Sequence, residues 1–382
     1  MKLRLHPQTL RKLKRFRSIR RGYWSFVGLG IALVVSFFGE IIVNDKALTV
    51  RYNGEYSFPA FGDLYPFAWF METEILTGED FGLMQDKDGQ TYDYAVNFLE
   101  LQRIWEDDKD SENFVIMPMI PHGPYGNDFA SGVEKLSSPD GASEHYLGTD
   151  KEGRDILARL FYGFRIVMLF ALAFTLMVFL LGSFFGCIMG YFGGTLDMLG
   201  LRLVEIWANV PFLYMVMIMV AVIPDLSGSF SQEEVIVIRA IILLLIMAAF
   251  SWTGLTYYVR ASTYKEKARE YVAAARVMGA GSGRILFVHV LPNVISTIVT
   301  FLPFTVATAI ASVTALDFLN FGLPEGTPSW GQQMRVGQEF IREKPWIISS
   351  AVASIFIVLT MVTFIGEAVR EAFDPKKFST YE

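Results

Sequence analysis

The chain has 382 residues, 52% of them apolar and 15% aromatic, with a mean hydropathy of +0.37. That composition, spread over several apolar runs of about twenty residues, excludes an ordinary soluble globular protein and predicts a polytopic membrane protein. The formal net charge is −6, and Cys187 is the single cysteine, so an intrachain disulfide is excluded.

Residues 1–21 carry Lys2, Arg4, Arg11, Lys12, Lys14, Arg15, Arg17, Arg20 and Arg21 and no acid. An apolar stretch follows over residues 22–43. It is too long for a signal-peptide core and is followed by Asn44 and Asp45, not by a small-residue cleavage site. It is predicted to be a first, uncleaved span whose basic N-terminus stays in the cytoplasm by the positive-inside bias.

Residues 44–163 differ in character. They hold many acids, among them Asp86, Asp88, Glu106, Asp107, Asp108, Asp110 and Glu112, and comparatively few bases. This segment is expected to be an extracytoplasmic insertion folded as a small, partly β cap. Asn53-Gly54 between alternating flanks is a hairpin signal. Apolar residues recur at helical spacing from about Tyr94 to Trp105. The acidic run is expected to be a solvated face, and no nucleophile–base constellation stands in the insertion.

The insertion closes on Tyr146-Leu147-Gly148-Thr149-Asp150-Lys151-Glu152-Gly153-Arg154-Asp155, followed by Ile156, Leu157, Ala158, Arg159 and Leu160. Thr149 or Asp150 is placed to cap a helix from about Lys151. The apolar face of that helix, Ile156, Leu157, Leu160 and Phe161, is expected to lie along the membrane interface. A second span is predicted from about 164 to 192, with Gly182, Ser183, Gly186 and Gly190 permitting close helix packing. The third runs from about 201 to 223, with Arg202 and Glu205 one turn apart and Pro211 as a kink. After the acidic loop 224–235, the fourth span is predicted over about 236–259. The fifth covers about 294–316, interrupted by Pro303, and the sixth about 346–365.

Between the fourth and fifth spans lies a basic segment, residues 260–293, in which Arg260, Lys265, Lys267, Arg269, Arg276 and Arg284 outweigh Glu266 and Glu270. Its first half is rich in helix formers. Its middle, Gly279-Ala280-Gly281-Ser282-Gly283, is a turn, and Leu291-Pro292 leads into the next span. The small residues Ala273, Ala274, Ala275 and Gly279 would let a partner's backbone approach closely.

This segment resembles the EAA motif of bacterial ABC-importer permeases: Glu-Ala-Ala, three residues, Gly, nine residues, then Ile-x-Leu-Pro. The match falls on Ala273, Ala274, Ala275, Gly279, His289, Leu291 and Pro292, with Ala273 in place of the motif's Glu and His289 in place of its Ile. The run Gly148, Thr149, Asp150, Gly153, Arg154, Asp155 and Arg159 is similar to the segment preceding the core in the oligopeptide/dipeptide subgroup. Leu316–Leu323 with Pro328-Ser329-Trp330-Gly331 also resembles that subgroup, although Asn320 and Phe321 depart from its usual residues. So does the closing Arg370-Glu371-Ala372-Phe373-Asp374-Pro375, while the N-terminal span and long acidic insertion look most like the permeases of Yej-type importers.

The resemblance implies an all-α membrane fold with six transmembrane helices, the type I ABC importer permease fold, and the acidic insertion on the periplasmic side. Both termini (1–21 and 369–382) and the 260–292 loop are then cytoplasmic, the permease core being residues 164–368. It implies a subunit that forms half of a peptide pathway by alternating access, for oligopeptides or peptide–nucleotides such as microcin C. Glu270, Ala273, Ala274, Ala275, Gly279, Leu291 and Pro292 would seat on an ATPase. The implied partners are a second, homologous permease, two ATPase domains or one fused ATPase chain, and a periplasmic binding protein.

Other features bear on this reading. The chain has no G-x-x-x-x-G-K-[ST] phosphate loop, so ATP and magnesium are expected on the partner ATPase and no cofactor on this chain. His6, His122, His145 and His289 stand at no metal-ligand spacing, so no metal site is expected. No nucleic-acid partner and no catalytic residue is expected. An ion-coupled secondary transporter or channel is the alternative, but the predicted span centres carry essentially no ionisable residue: Glu40, Arg202, Glu205 and Glu367 lie near span ends.

Overall fold

The computed structural model describes residues 7–62, 76–77, 79–81, 96–107, 112–126, 133–141, 143–223 and 232–373. Lys2, Arg4, His6, Asp86, Asp88, Tyr94, Asp108, Asp110, most of the 224–235 loop and the tail from Asp374 lie outside the described residues.

In chain order the elements are α1 (Pro7–Ser18), α2 (Arg20–Phe37), β1 (Thr49–Tyr52), β2 (Glu55–Ser57), α3 (Phe98–Asp107) and β3 (Phe114–Ile116). Then come α4 (Ile156–Phe192), α5 (Gly194–Ala208), α6 (Phe212–Ala221), α7 (Gln232–Ser251), α8 (Thr253–Lys267) and α9 (Glu270–Val277). The helical run α10 (Ser282–Phe318), α11 (Trp330–Glu339) and α12 (Pro345–Phe373) follow. The chain divides into two compact units. One is Met1–Leu29 with Val167–Pro324 and Phe356–Glu382, and the other is Gly30–Ile166 with Glu325–Ile355.

The fold is helical and membrane-spanning, with one small sheet among the described residues. Among the described residues four helices are long and apolar enough to cross a membrane: Ile156–Phe192, Glu234–Ser251, Ser282–Phe318 and Pro345–Phe373. The pair α5 and α6, bent by 73° at Pro211, makes a fifth if taken as one span. Proline has no N–H for the helical ladder, and its ring crowds the preceding turn, so the break falls where the sequence places it. The expected first span, 22–43, is not among the five. Its helix α2 has 18 residues and opens with Arg20 and Arg21. A further helical turn over Gly39–Ile42 follows after Phe38, so the helical run continues through most of the expected span.

The insertion has its own core. Strands β2-β1-β3 form an antiparallel sheet with Tyr52 opposite Glu55 and Val50 opposite Val115. Asn53 and Gly54 take φ of 50° and 87°, which closes the β1–β2 hairpin as their sequence predicts. Ala47, Val50, Phe98, Leu101 and Val115 are buried together, and Tyr52 stacks on Trp105 with ring centroids 5.8 Å apart. Asn97 caps α3 by accepting from the Leu99 and Glu100 amides.

In the other unit, α4 packs on α8 along a glycine stripe. A Cβ at Gly182 would stand 2.9 Å from Leu255 Cβ, one at Gly186 2.7 Å from Val259 Cβ, and one at Gly190 2.6 Å from the Arg260 carbonyl oxygen. The small residues therefore do what their spacing predicts: they bring two helices to backbone contact. α10 is irregular for two reasons visible in its sequence. A π turn spans Ile285–Val290 just before Pro292, and a 3-10 turn spans Val299–Phe301 just before Pro303. Each proline removes a ladder donor, and the turn before it widens or tightens to make room for the ring. At the far end Asn320 has φ 65°, while the Phe321 amide donates to the Leu316 carbonyl at 2.8 Å and the Asn320 amide to Asp317 at 3.1 Å. This is a left-handed helix stop, which asparagine tolerates better than other non-glycine residues, so the Asn320 departure keeps the local geometry.

Candidate functional site

The segment from Arg260 to Asn293 is built on α8. Leu255, Thr256, Val259 and Thr263 bury one face of that helix. Arg260 leaves on another face and donates through Nε and Nη2 to the two carboxylate oxygens of Asp197 on α5, both at 2.5 Å. Those hydrogen bonds hold the Arg260 guanidinium above its ordinary pKa. The pair clamps the start of the segment to the neighbouring helix.

At Arg269 the backbone turns extended, and α9 begins at Glu270, whose negative charge suits the positive end of the helix. Within α9 the small residues divide. Val272 and Ala275 are buried, whereas Ala273 and Ala274 are exposed, with Val277 and Met278 at 89% and 80% exposure beside them. The expected single small face of Ala273, Ala274, Ala275 and Gly279 is therefore corrected: Ala275 turns inward beside Val272, because at 3.6 residues per turn three consecutive side chains spread over about 200° of the helix. Gly279 has φ 84°, the Ala280 amide donates to the Ala275 carbonyl at 3.0 Å, and the Gly279 amide to Arg276 at 3.0 Å. Those two bonds with a left-handed residue are a Schellman stop, so Gly279 is needed first by its own backbone. Nothing lies within 4 Å of where its Cβ would be.

A polar latch ties the two arms of the segment. Tyr271 Oη donates to Glu266 Oε2 at 3.0 Å and accepts from Asn293 Nδ2 at 3.3 Å, and Asn293 Nδ2 also donates to the His289 carbonyl at 2.8 Å. Partial burial, then the Glu266 hydrogen bond, raise the Tyr271 phenol above its ordinary value, so it remains a donor throughout the physiological range. Leu291 is half-buried and Pro292 exposed on α10, between the buried Val290 and Val294. The structure thus presents Glu270, Ala273, Ala274, Val277, Met278 and Gly279 on the outside of a short, internally braced helix.

The second predicted group is placed differently. Asp150 Oδ1 accepts from the Glu152 and Arg154 amides at 2.8 and 3.0 Å, while its Oδ2 accepts from Arg154 Nε at 2.9 Å. Thr149 Oγ1 accepts from the Ser137 amide at 2.9 Å and donates to the Glu134 carbonyl at 3.1 Å. Asp155 Oδ2 meets His145 Nδ1 at 2.9 Å, and its Oδ1 accepts from the Ala158 amide at 2.6 Å. The His145 ring stacks on His122 with centroids 3.9 Å apart. Arg159, 2% exposed, donates to the carbonyls of Pro124 (2.9 Å), Gly326 (3.2 Å) and Thr327 (3.2 Å), with Nε 3.6 Å from Asp150. Gly148 has φ 76°, and a Cβ there would stand 2.3 Å from the Ser137 carbonyl. Gly153 closes the Asp150 turn through its amide at 3.0 Å.

These residues form a buried ionic hub. The expected interfacial helix from Lys151 is corrected, because residues 151–155 are a turn and α4 runs unbroken from Ile156 to Phe192. Asp155, not Thr149 or Asp150, caps it. The nearby Ser329 caps α11 by accepting from the Gln332 amide, and Trp330 Nε1 donates to the Leu160 carbonyl at 3.0 Å.

Sequence reasoning passed over three charged groups. The Asp197–Arg260 pair lies 63 residues apart in the chain and carries no local signal. Arg165 meets Glu40 at 2.7 Å, the latter 7% exposed. Arg239 stands inside the membrane helix α7. Arg202 and Glu205 pair at 2.6 Å, as their spacing predicts. Among the described residues no cluster of His, Cys, Asp and Glu is arranged to hold a metal ion.

A membrane protein of bent and continuous spanning helices, carrying a braced, exposed helix between two of them, defines the class. Residues 182–379 match the family described as the binding-protein-dependent transport system inner membrane component. The chain is 37% identical to the peptidoglycan transport system permease protein YejE of Agrobacterium fabrum, over 97% of this chain and 94% of the relative. It is 34% identical to the inner membrane ABC transporter permease protein YejE of Escherichia coli, over 98% of this chain and 99% of the relative. With the oligopeptide transport system permease protein OppC of Haemophilus influenzae it shares 32% identity over 63% of this chain and 73% of the relative. The chain belongs to the family of inner-membrane permease components of binding-protein-dependent transport systems.

Proposed function

We propose that this chain is one half of the translocation pathway of an ATP-driven peptide importer and that α9 with its glycine stop is where an ATPase docks. The observation that carries the docking reading is the contrast within α9: Val272 and Ala275 anchor the helix inward, while Ala273, Ala274, Val277 and Met278 face outward. Apolar exposure of that kind on a short, hydrogen-bonded helix suits a protein groove, and small residues allow close approach. The clamp from Arg260 to Asp197 would carry a push on α9 into the spanning helices. ATP and magnesium belong to the ATPase, and nucleotide-driven closure there would switch this chain between outward- and inward-facing forms.

The relative of A. fabrum is named a peptidoglycan transport permease and that of H. influenzae an oligopeptide transport permease, and the latter name favours peptides as cargo. Oligopeptides and peptide–nucleotides of the microcin C type are the proposed substrates. The partners would be a second, homologous permease, two ATPase domains or one fused chain, and a periplasmic binding protein. The basic 1–21 and 260–293 segments would face the cytoplasm and the acidic 44–163 insertion the periplasm.

The test is purification of tagged protein from native membranes, followed by mass spectrometry and by crosslinking through a cysteine at Val277. Recovery of a second permease and an ATPase, with the crosslink falling on the ATPase, supports the reading. A solitary chain that transports without ATP overturns it and restores the ion-coupled transporter or channel.

A further inference from the structure

We propose that α1 and the residues joining it to α2 are a binding surface for anionic phospholipid, which braces the end of α12. The proposal concerns lipid alone and does not depend on the cargo or on ATPase docking. Residues 1–21 carry nine bases and no acid, and the arrangement of those from Leu10 onward is informative. At 3.6 residues per turn, Lys12, Arg15, Phe16 and Ile19 share one side of the helix. All four are half-buried. Arg15 meets Glu371 at 3.6 Å, and the Lys12 ammonium sits 4.5 Å from the centre of the Phe373 ring. One turn further on, Arg21 pairs with Glu367 at 2.9 Å.

The opposite side is exposed and mixes the two chemistries that bind an anionic bilayer. Leu10 and Leu13 are 44% and 49% exposed, and Lys14, Arg17 and Arg20 are exposed among them. Leucines between arginines suit a membrane surface, where the leucines enter the acyl boundary and the cations meet phosphates. Trp24, also exposed, stands one turn after Arg20. Tryptophan prefers the headgroup level, so it sets the depth of the membrane just past the last bases, Arg20 and Arg21. The occupant is therefore the phospholipid surface beside α2, its anionic headgroups complementary to the exposed Arg11, Lys14, Arg17 and Arg20, with no acid on α1 to compete.

The consequence is mechanical. The same helix that would touch lipid on one side holds Glu367, Glu371 and Phe373 of α12 on the other. Anionic lipid would fix α1 against the membrane and thereby hold the last turns of the last span.

The experiment uses the full chain, in complex with whatever subunits accompany it, labelled with an environment-sensitive fluorophore through a Ser18→Cys substitution. It is reconstituted in phosphatidylcholine nanodiscs with or without phosphatidylglycerol. A blue shift on adding phosphatidylglycerol, reversed by high salt, is expected. The same shift should be lost when Lys14, Arg17 and Arg20 are changed to Gln, since apparent affinity falls about fivefold per cation removed. Leu10→Gln with Leu13→Gln keeps every charge, hence the membrane orientation, and should also weaken the shift. Identical spectra in the two lipids overturn the proposal. So does a shift that appears only when an ATPase subunit is present, which would assign the face to a protein.

Discussion

Two motif-bearing regions, the turn Gly148–Arg159 and the segment Arg260–Asn293, look alike as sequence and behave oppositely as structure. Both combine glycines at fixed offsets with a run of charges. In the first, every charge but Lys151 and Glu152 turns inward, and Asp150, Asp155 and Arg159 are each no more than 2% exposed. In the second, Glu270, Arg276 and the apolar Val277 and Met278 face out. The difference lies in where the backbone carbonyls are satisfied. Arg159 reaches three carbonyls from two other chain segments, so that motif is a device for closing loops onto α4. The α9 segment closes its end with its own Schellman stop, so Ala273, Ala274, Val277 and Met278 stay exposed for another molecule.

The comparison can be broken most forcefully at Arg159. Arg159→Ala removes the cation from a buried pair and orphans three carbonyls, a loss of about 3–5 kcal/mol. The expected result is failure to accumulate folded protein, measured by size-exclusion profile and thermal melting; a well-folded variant would show that the hub is dispensable.

Gly148→Ala should rank second. Its Cβ meets the Ser137 carbonyl at 2.3 Å, so overpacking of about 1–3 kcal/mol adds to left-handed strain of about 1–2 kcal/mol. A melting temperature within a degree or so of the parent protein contradicts this.

On the other side of the comparison, Ala274→Asp should leave melting unchanged yet abolish association with the ATPase, because the side chain points away from its own protein. Pull-down of the intact complex reads the outcome, and undiminished association would remove α9 from the docking surface. Gly279 sharpens the distinction further. Gly279→Asn keeps a residue that accepts φ 84° and meets nothing within 4 Å, so the cost should be a few tenths of a kcal/mol, by the usual tolerance of asparagine at this stop. Loss of uptake in a folded, assembled Gly279→Asn complex would show that glycine is wanted for a partner's approach and not for the turn alone.

A small effect also belongs to Tyr271→Phe, which removes two hydrogen bonds at an exposed latch and should cost under about 1 kcal/mol. Since the folded phenol titrates above its ordinary value, the latch contributes fully below the unfolded pKa. It is lost only as pH rises through the folded one, which lies above the ordinary phenol value. A stability profile that bends between pH 7 and 9 in the parent protein but not in Tyr271→Phe would contradict the assignment.

The sequence alone determined the membrane class, the positions of the apolar runs, the hairpin at Asn53-Gly54, the break at Pro211 and the glycine stripe of α4. Each of these follows from local composition or spacing, because an apolar run, a positive φ or a missing N–H acts within a few residues. Only the tertiary structure decided which way a motif faces. Nothing in the order of residues 148–155 distinguishes an interfacial helix from a buried turn, since the choice rests on Arg159 finding carbonyls at Pro124, Gly326 and Thr327. Nor does the order of residues 270–279 reveal that Ala275 turns in while Ala274 turns out, or that Arg260 is held by Asp197 from 63 residues away. Burial and long-range charge pairing belong to the packing of segments that are distant in the chain, and periodicity carries no record of them.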